Sequence, residues 1–146
     1  MTDAEFLMAL ESCTLQEHDF GHAAHVRAAY LYLGALGFAG ALLKVQNAIR
    51  RFAAHLGRPD RYHETITVAY LALICQALYE SGDCGSWAAF ARANPQVLER
   101  GLLLKFYSRS QLDSDLARQV FVLPGGFKLD GDTVPASSAS AAGAPS

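Results

Sequence analysis

The sequence lacks any surplus of basic charge: twelve Lys and Arg stand against fourteen Asp and Glu, a formal net charge of -2. Nucleic-acid binding rests on cations that neutralise many phosphates, so nucleic acid is not an expected partner. Cysteine is scarce as well. Three residues, an odd number with no CxxC spacing, make no closed disulfide framework and fit a reducing compartment. The opening MTDAEFLMALESC carries acids where a signal peptide carries Lys or Arg, so the expectation is a cytoplasmic protein. Long apolar runs are missing too. The uncharged stretch from Ala28 to Leu43 is shorter than the roughly 20 residues of a bilayer span and is broken by Gly34, Gly37 and Gly40. It reads as two buried helices meeting at a glycine corner, with no membrane partner. GxGxxG, GxxxxGK, GxSxG and HExxH are all absent, which leaves nucleotide cofactors and familiar hydrolase machinery without motif support.

What is present points to one helical domain. The 146 residues are 51% hydrophobic and 18% charged, enough to bury a core without metal or disulfide. A first helix is expected from the N-cap Thr2 to about Cys13, and a second from the cap Asp19 to Gly34 or Gly37. The third has the clearest period, with Leu42, Val45, Ile49, Phe52 and Leu56 on one face and a stop at Gly57. Asp60 then offers a cap for a fourth helix running to about Gly82. Shorter helices follow, capped by Ser86, by Ser108 and by Asp113 or Ser114, and Leu102 to Tyr107 is also read as helix. Strand-like alternation is scarce. The expected fold is therefore an all-α, compact single-domain bundle over residues 1–130, with short C-terminal helices. The Ala, Ser, Pro and Gly of residues 131–146 cannot bury a core and read as a disordered tail.

Three of the five histidines fall where a helix would place core aliphatics. His22 and His25, three apart, share one side of the second helix, and His63 begins the apolar stripe Ile66, Tyr70 and Leu73. An i,i+3 pair on one helix and a third imidazole from a facing helix are a workable set for one divalent ion with an open position. The alternative is a trio of neutral core histidines bonded to carbonyls or water. Left unpaired, each would cost about 1 to 3 kcal/mol, and one ion would satisfy all three together.

Phe20-x-His22-x-x-His25, Tyr62-His63-x-Thr65-x-Thr67, Tyr107-Ser108, Ala117-Arg118 and Phe121-Val122 together resemble a family of small bacterial proteins with FxHxxH and YHxTxT signatures. The likeness runs from about Glu5 to Pro124 and names a pattern, not an activity. It implies that His22, His25 and His63 belong to one site, with Tyr62, Thr65 and Thr67 around it. His18 and His55 lie off the pattern, and Gly125-Gly126 stands where an acidic residue is expected.

Roles follow for the neighbours. Glu64 is either a catalytic or metal-supporting carboxylate or an ordinary acid at a helix start, and Tyr62 either donates its phenol to a substrate or packs. Thr65 and Thr67 either hydrogen-bond a ligand residue or bond back to their own helix. Arg27, Arg109 and Arg118 are the candidates for anchoring an anionic group, Arg27 being better explained by a pair with Asp or Glu. Three imidazoles suit zinc best, with iron or manganese as further options, and the corresponding chemistry is activation of water or polarisation of a carbonyl in a small molecule. Hydrolase, lyase and isomerase all fit. A non-haem iron oxygenase and a non-catalytic metal- or ligand-binding module are the alternatives.

Overall fold

The computed structural model describes residues 1–125, and the expected tail at 131–146 lies outside them. The chain is all-α, with no strand among the described residues. Helix α1 spans Asp3–Glu11 and begins as expected: the Glu5 amide donates to Thr2 Oγ1 at 3.1 Å while the Thr2 amide donates to the Glu5 carboxylate at 3.2 Å.

The second and third expected helices are one run, α2, over His22–His55. The glycine corner survives as a kink. Gly37 alone leaves helical geometry, at φ 73° and ψ -175°, a conformation that side-chain-bearing residues avoid. The bend turns Leu36 against Gly40, where a Cβ would stand 2.8 Å from the Leu36 Cβ. By length and composition α2 is apolar enough to cross a membrane; here it is the central helix, packed against α1 and α3 (Glu64–Ser81). Its buried stripe, Val26, Ala29, Leu33, Val45 and Phe52, meets Leu71 and Ile74 of α3 and Phe90 of α4 (Trp87–Ala93) in a single core. That face is what turns a long apolar helix into a fold, since each large side chain buried contributes about 1.5 to 3 kcal/mol.

Two expected caps move. Asp19 and Asp60 sit in 3₁₀ turns, Glu17–Asp19 and Pro59–Arg61, and the helices start later, at the N-caps Gly21 and His63. Pro59 favours the tight turn and delays the helix by one turn. Leu102–Lys105 is likewise a 3₁₀ turn rather than a helix, as is Pro95–Leu98. Ser86, Ser108 and Ser114 cap α4, α5 (Arg109–Leu112) and α6 (Asp115–Gln119), each through its hydroxyl.

The C-terminal third is fastened to α3, and tied to itself, by side chains that bond its backbone. Thr65 Oγ1 donates to the Val120 carbonyl at 2.8 Å and accepts from the Val122 amide at 3.1 Å. Tyr70 donates to the Glu99 carbonyl at 2.6 Å, and Tyr107 to the Val122 carbonyl at 2.7 Å. Short helices have little propensity to hold themselves in place, and these bonds position them.

Candidate functional site

The start of α2 supplies the first wall. Gly21 caps it without a side-chain bond, so the amides of the first turn have no capping partner from that residue. Phe20 stacks on Phe52 with ring centroids 4.0 Å apart and meets the edge of His25 at 4.4 Å, which fixes the entry of the chain into the helix. His22 turns to Tyr70, 4.7 Å away, and its Nε2 donates to the Val97 carbonyl at 3.1 Å. His25 has no such partner. Its Nε2 is buried without a hydrogen bond. Burial foremost, with His22 and the Arg100 charge nearby, pushes its pKa down to about 4, so the ring is neutral at ordinary pH. Burial also lowers His22, opposed by its bond to Val97 and assisted by Arg100.

The third histidine does something else. His63 is the N-cap of α3: its Nδ1 accepts from the Ile66 amide at 3.2 Å, and its Nε2 donates to the Leu112 carbonyl at 2.7 Å. Both ring nitrogens are committed to backbone, which fixes a neutral ring with its proton on Nε2. Among the described residues no three His, Cys, Asp or Glu side chains are grouped so as to hold a metal ion. As folded, the three imidazoles of the expected ligand set, His22, His25 and His63, are not grouped as a metal site. His22 and His63 spend Nε2 on carbonyls, and His63 leaves no lone pair unless α3 loses its cap.

All three histidines nevertheless line one cleft of about 640 Å³. Its walls come from four places: the start of α2, the start of α3 with Ile66 and Tyr70, the turn around Arg100 to Leu104, and α5 with α6. Four arginines, Arg61, Arg100, Arg109 and Arg118, join this lining against a single carboxylate among the described residues, Asp113. Arg100 lies over the start of α2, its Nη2 4.0 Å from where a Cβ on Gly21 would be. Behind His22, His25 and Tyr70 is a smaller cavity of about 50 Å³, walled by Val26, Val45, Ile49, Ile66 and Ile74. The imidazoles thus stand between a polar cleft and an apolar recess.

The other candidates lie elsewhere. Glu64 is held by Tyr62 Oη at 2.5 Å, Gln46 Nε2 at 2.8 Å and Arg50 at 3.4 Å, a clasp between α3 and α2 outside the cleft lining. Neither Glu64 nor Tyr62 reaches the histidine cleft as an acid or base, and burial with the Glu64 bond raises the Tyr62 phenol well above its usual range. Thr67 bonds back to the His63 carbonyl at 2.8 Å, and Thr65 fastens the C-terminal segment. Arg27 pairs with Asp3 at 2.6 Å and covers the Phe6 ring. His18 is exposed beside Asp19, and His55 sits in the last turn of α2. Sequence reasoning named Arg109 and Arg118 but missed Arg61 and Arg100; isolated arginines in turns carry no local signal of a shared cleft.

The chain matches no protein-family model, no curated protein and no solved structure.

Proposed function

We propose that this chain is a small-molecule-binding helical protein whose ligand occupies the histidine cleft. The observation that carries this reading is the convergence of His22, His25 and His63 on one concave site of about 640 Å³, a volume typical of small-molecule sites. His25 adds a neutral imidazole with an unpartnered buried nitrogen, which costs stability unless the site returns something for it. The cleft is built on the start of a 34-residue helix and fastened by bonds from His22, Tyr70 and His63, so its walls are set before any ligand arrives.

Metal-dependent hydrolase, lyase or isomerase chemistry, with zinc, iron or manganese, would require His22 and His63 to give up their bonds to the Val97 and Leu112 carbonyls. The same holds for the iron oxygenase. Of the sequence-derived alternatives, the ligand-binding module is the one this geometry favours.

A panel of neutral, cationic and anionic metabolites in a thermal-unfolding assay tests the reading. At least one class is expected to raise the unfolding temperature, and Leu104→Trp, which narrows the mouth from an exposed lining position, is expected to abolish the rise without changing the unliganded protein. A rise that Leu104→Trp leaves intact would place binding elsewhere, and no rise with any class would contradict the proposal.

A further inference from the structure

The chain has nine arginines, and eight of them divide into two sets. Arg27, Arg50 and Arg58 face carboxylates of Asp3, Glu64 and Glu17, and Arg51 bonds the Glu11 carbonyl. Arg61, Arg100, Arg109 and Arg118 have no ion-pair partner among the described residues, and all four line the histidine cleft. Arg92, exposed on α4 and outside that lining, is the ninth. A chain of net charge -2 has therefore gathered four guanidinium groups around one concavity and, among the described residues, set only the Asp113 carboxylate beside them. Like charges brought together raise the free energy of the unliganded fold, and a polyanion in their midst reverses the sign of that interaction.

Two further features have the same sign. The start of α2 opens on the cleft at Gly21 and His22, with a cap that offers no side chain, so its amides and the positive end of its dipole face the same space as Arg100. His22 and His25 add no negative charge and, being neutral, leave the field to the arginines. The groups available are planar donors in pairs, the chemistry that recognises carboxylate and phosphate oxygens through two parallel hydrogen bonds.

We propose that the ligand of the cleft is a small polyanion, a compound bearing at least two carboxylate or phosphate groups, held by Arg100 and Arg118 with Arg61 and Arg109 at the mouth. This rests on the small-molecule reading above and adds the ligand's charge. A monoanion would leave the guanidinium groups in mutual repulsion. An extended polyanion such as nucleic acid would have to lie along a surface whose remaining charge is acidic, whereas this positive field is confined to one cleft. Arg118 is half-buried and the other three are exposed, so Arg118 anchors the inner anionic group.

Calorimetric titration of the full chain with pyrophosphate and, separately, with citrate tests this, in chloride buffer of matched ionic strength. At least one of the two is expected to bind with a dissociation constant of about 1 mM or tighter, weakening as salt is raised. The probe that binds distinguishes phosphate from carboxylate recognition. Arg100→Gln combined with Arg118→Gln is expected to weaken binding by at least about tenfold, while Arg92→Gln leaves it unchanged. Unchanged far-ultraviolet circular dichroism identifies variants that have kept the fold, and a double variant that unfolds is replaced by the two single ones. Binding by neither probe at about 1 mM or tighter, binding that the double variant leaves unchanged, or an equal loss in Arg92→Gln would overturn the proposal. The thermal panel separates the two readings: neutral compounds that stabilise the protein through the cleft, with no response to pyrophosphate or citrate, leave the small-molecule site standing and remove only its anion preference. No response to any class removes both.

Discussion

His25 is neutral because of where it is buried, and that has a measurable consequence. The unfolded chain takes up a proton at this residue near its ordinary 6.5 and the folded chain only at about 4, so the unfolded state binds more protons in the interval between. Stability from this residue is complete above the upper value and declines as pH falls through that window, by about 3 kcal/mol at most. Urea unfolding between about pH 4 and pH 7 is expected to show that slope in wild type and a flatter one in His25→Leu. An unchanged slope in the variant would assign the acid sensitivity to other groups. His63 carries a different expectation. His63→Ala removes the cap of α3 and leaves the Leu112 carbonyl without its donor, a loss of about 1 to 3 kcal/mol. Elemental analysis of wild type and variant side by side is expected to give the same metal content. Stoichiometric zinc or iron lost in the variant would restore His63 as a ligand. The sequence placed this histidine inward but attributed the cap to Asp60, because carboxylates are the commoner caps and nothing local distinguishes the two positions.

Among the elements, the behaviour of α2 was half readable. Periodicity and the glycines located both helical segments and the corner, but a single break does not separate two helices when only one residue leaves the helical region. Gly37 and Gly34 should therefore respond oppositely to alanine. Gly37→Ala forces a side chain into the φ 73° conformation and is expected to cost about 1 to 3 kcal/mol. Gly34→Ala, with nothing within 4 Å of the added Cβ, is expected to stabilise by about 0.5 to 1 kcal/mol. Chemical denaturation checks both, and equal effects would mean that the kink is not fixed by Gly37. The two threonines of the Tyr62-to-Thr67 motif likewise part company. Thr67 makes the routine bond to its own helix, while Thr65 reaches across to Val120 and Val122, a contact no spacing rule foretells. Thr65→Val leaves that carbonyl and amide unpaired, and hydrogen exchange is expected to speed up at Val122 while the α2 and α3 core amides stay protected. Faster exchange throughout the core would make Thr65 a global rather than a local fastener.

For the whole molecule, the helical class was readable because it depends on local periodicity and caps: Thr2, Ser86 and Ser108 cap as their sequence context implies, and of Asp113 and Ser114 it is Ser114 that caps α6. The cleft was not, because it depends on segments far apart in the chain. His22, Arg61, Arg100, Arg109 and Arg118 become neighbours only once α2 and α3 have packed and the C-terminal third has been fastened across them. The motif residues share that logic: His22, His63, Thr65 and Tyr107 each bond backbone of a distant segment, so a pattern that reads as metal ligation also describes a set of fasteners around a site. The cleft that results is the functional claim. Histidine side-chain ¹⁵N spectra of the full chain, recorded during a titration with the compound of the thermal panel that raises the unfolding temperature most, test it most directly. The His22 and His25 signals are expected to move and saturate together while those of His18 and His55, outside the cleft, stay fixed; all five moving alike, or none moving, would contradict it.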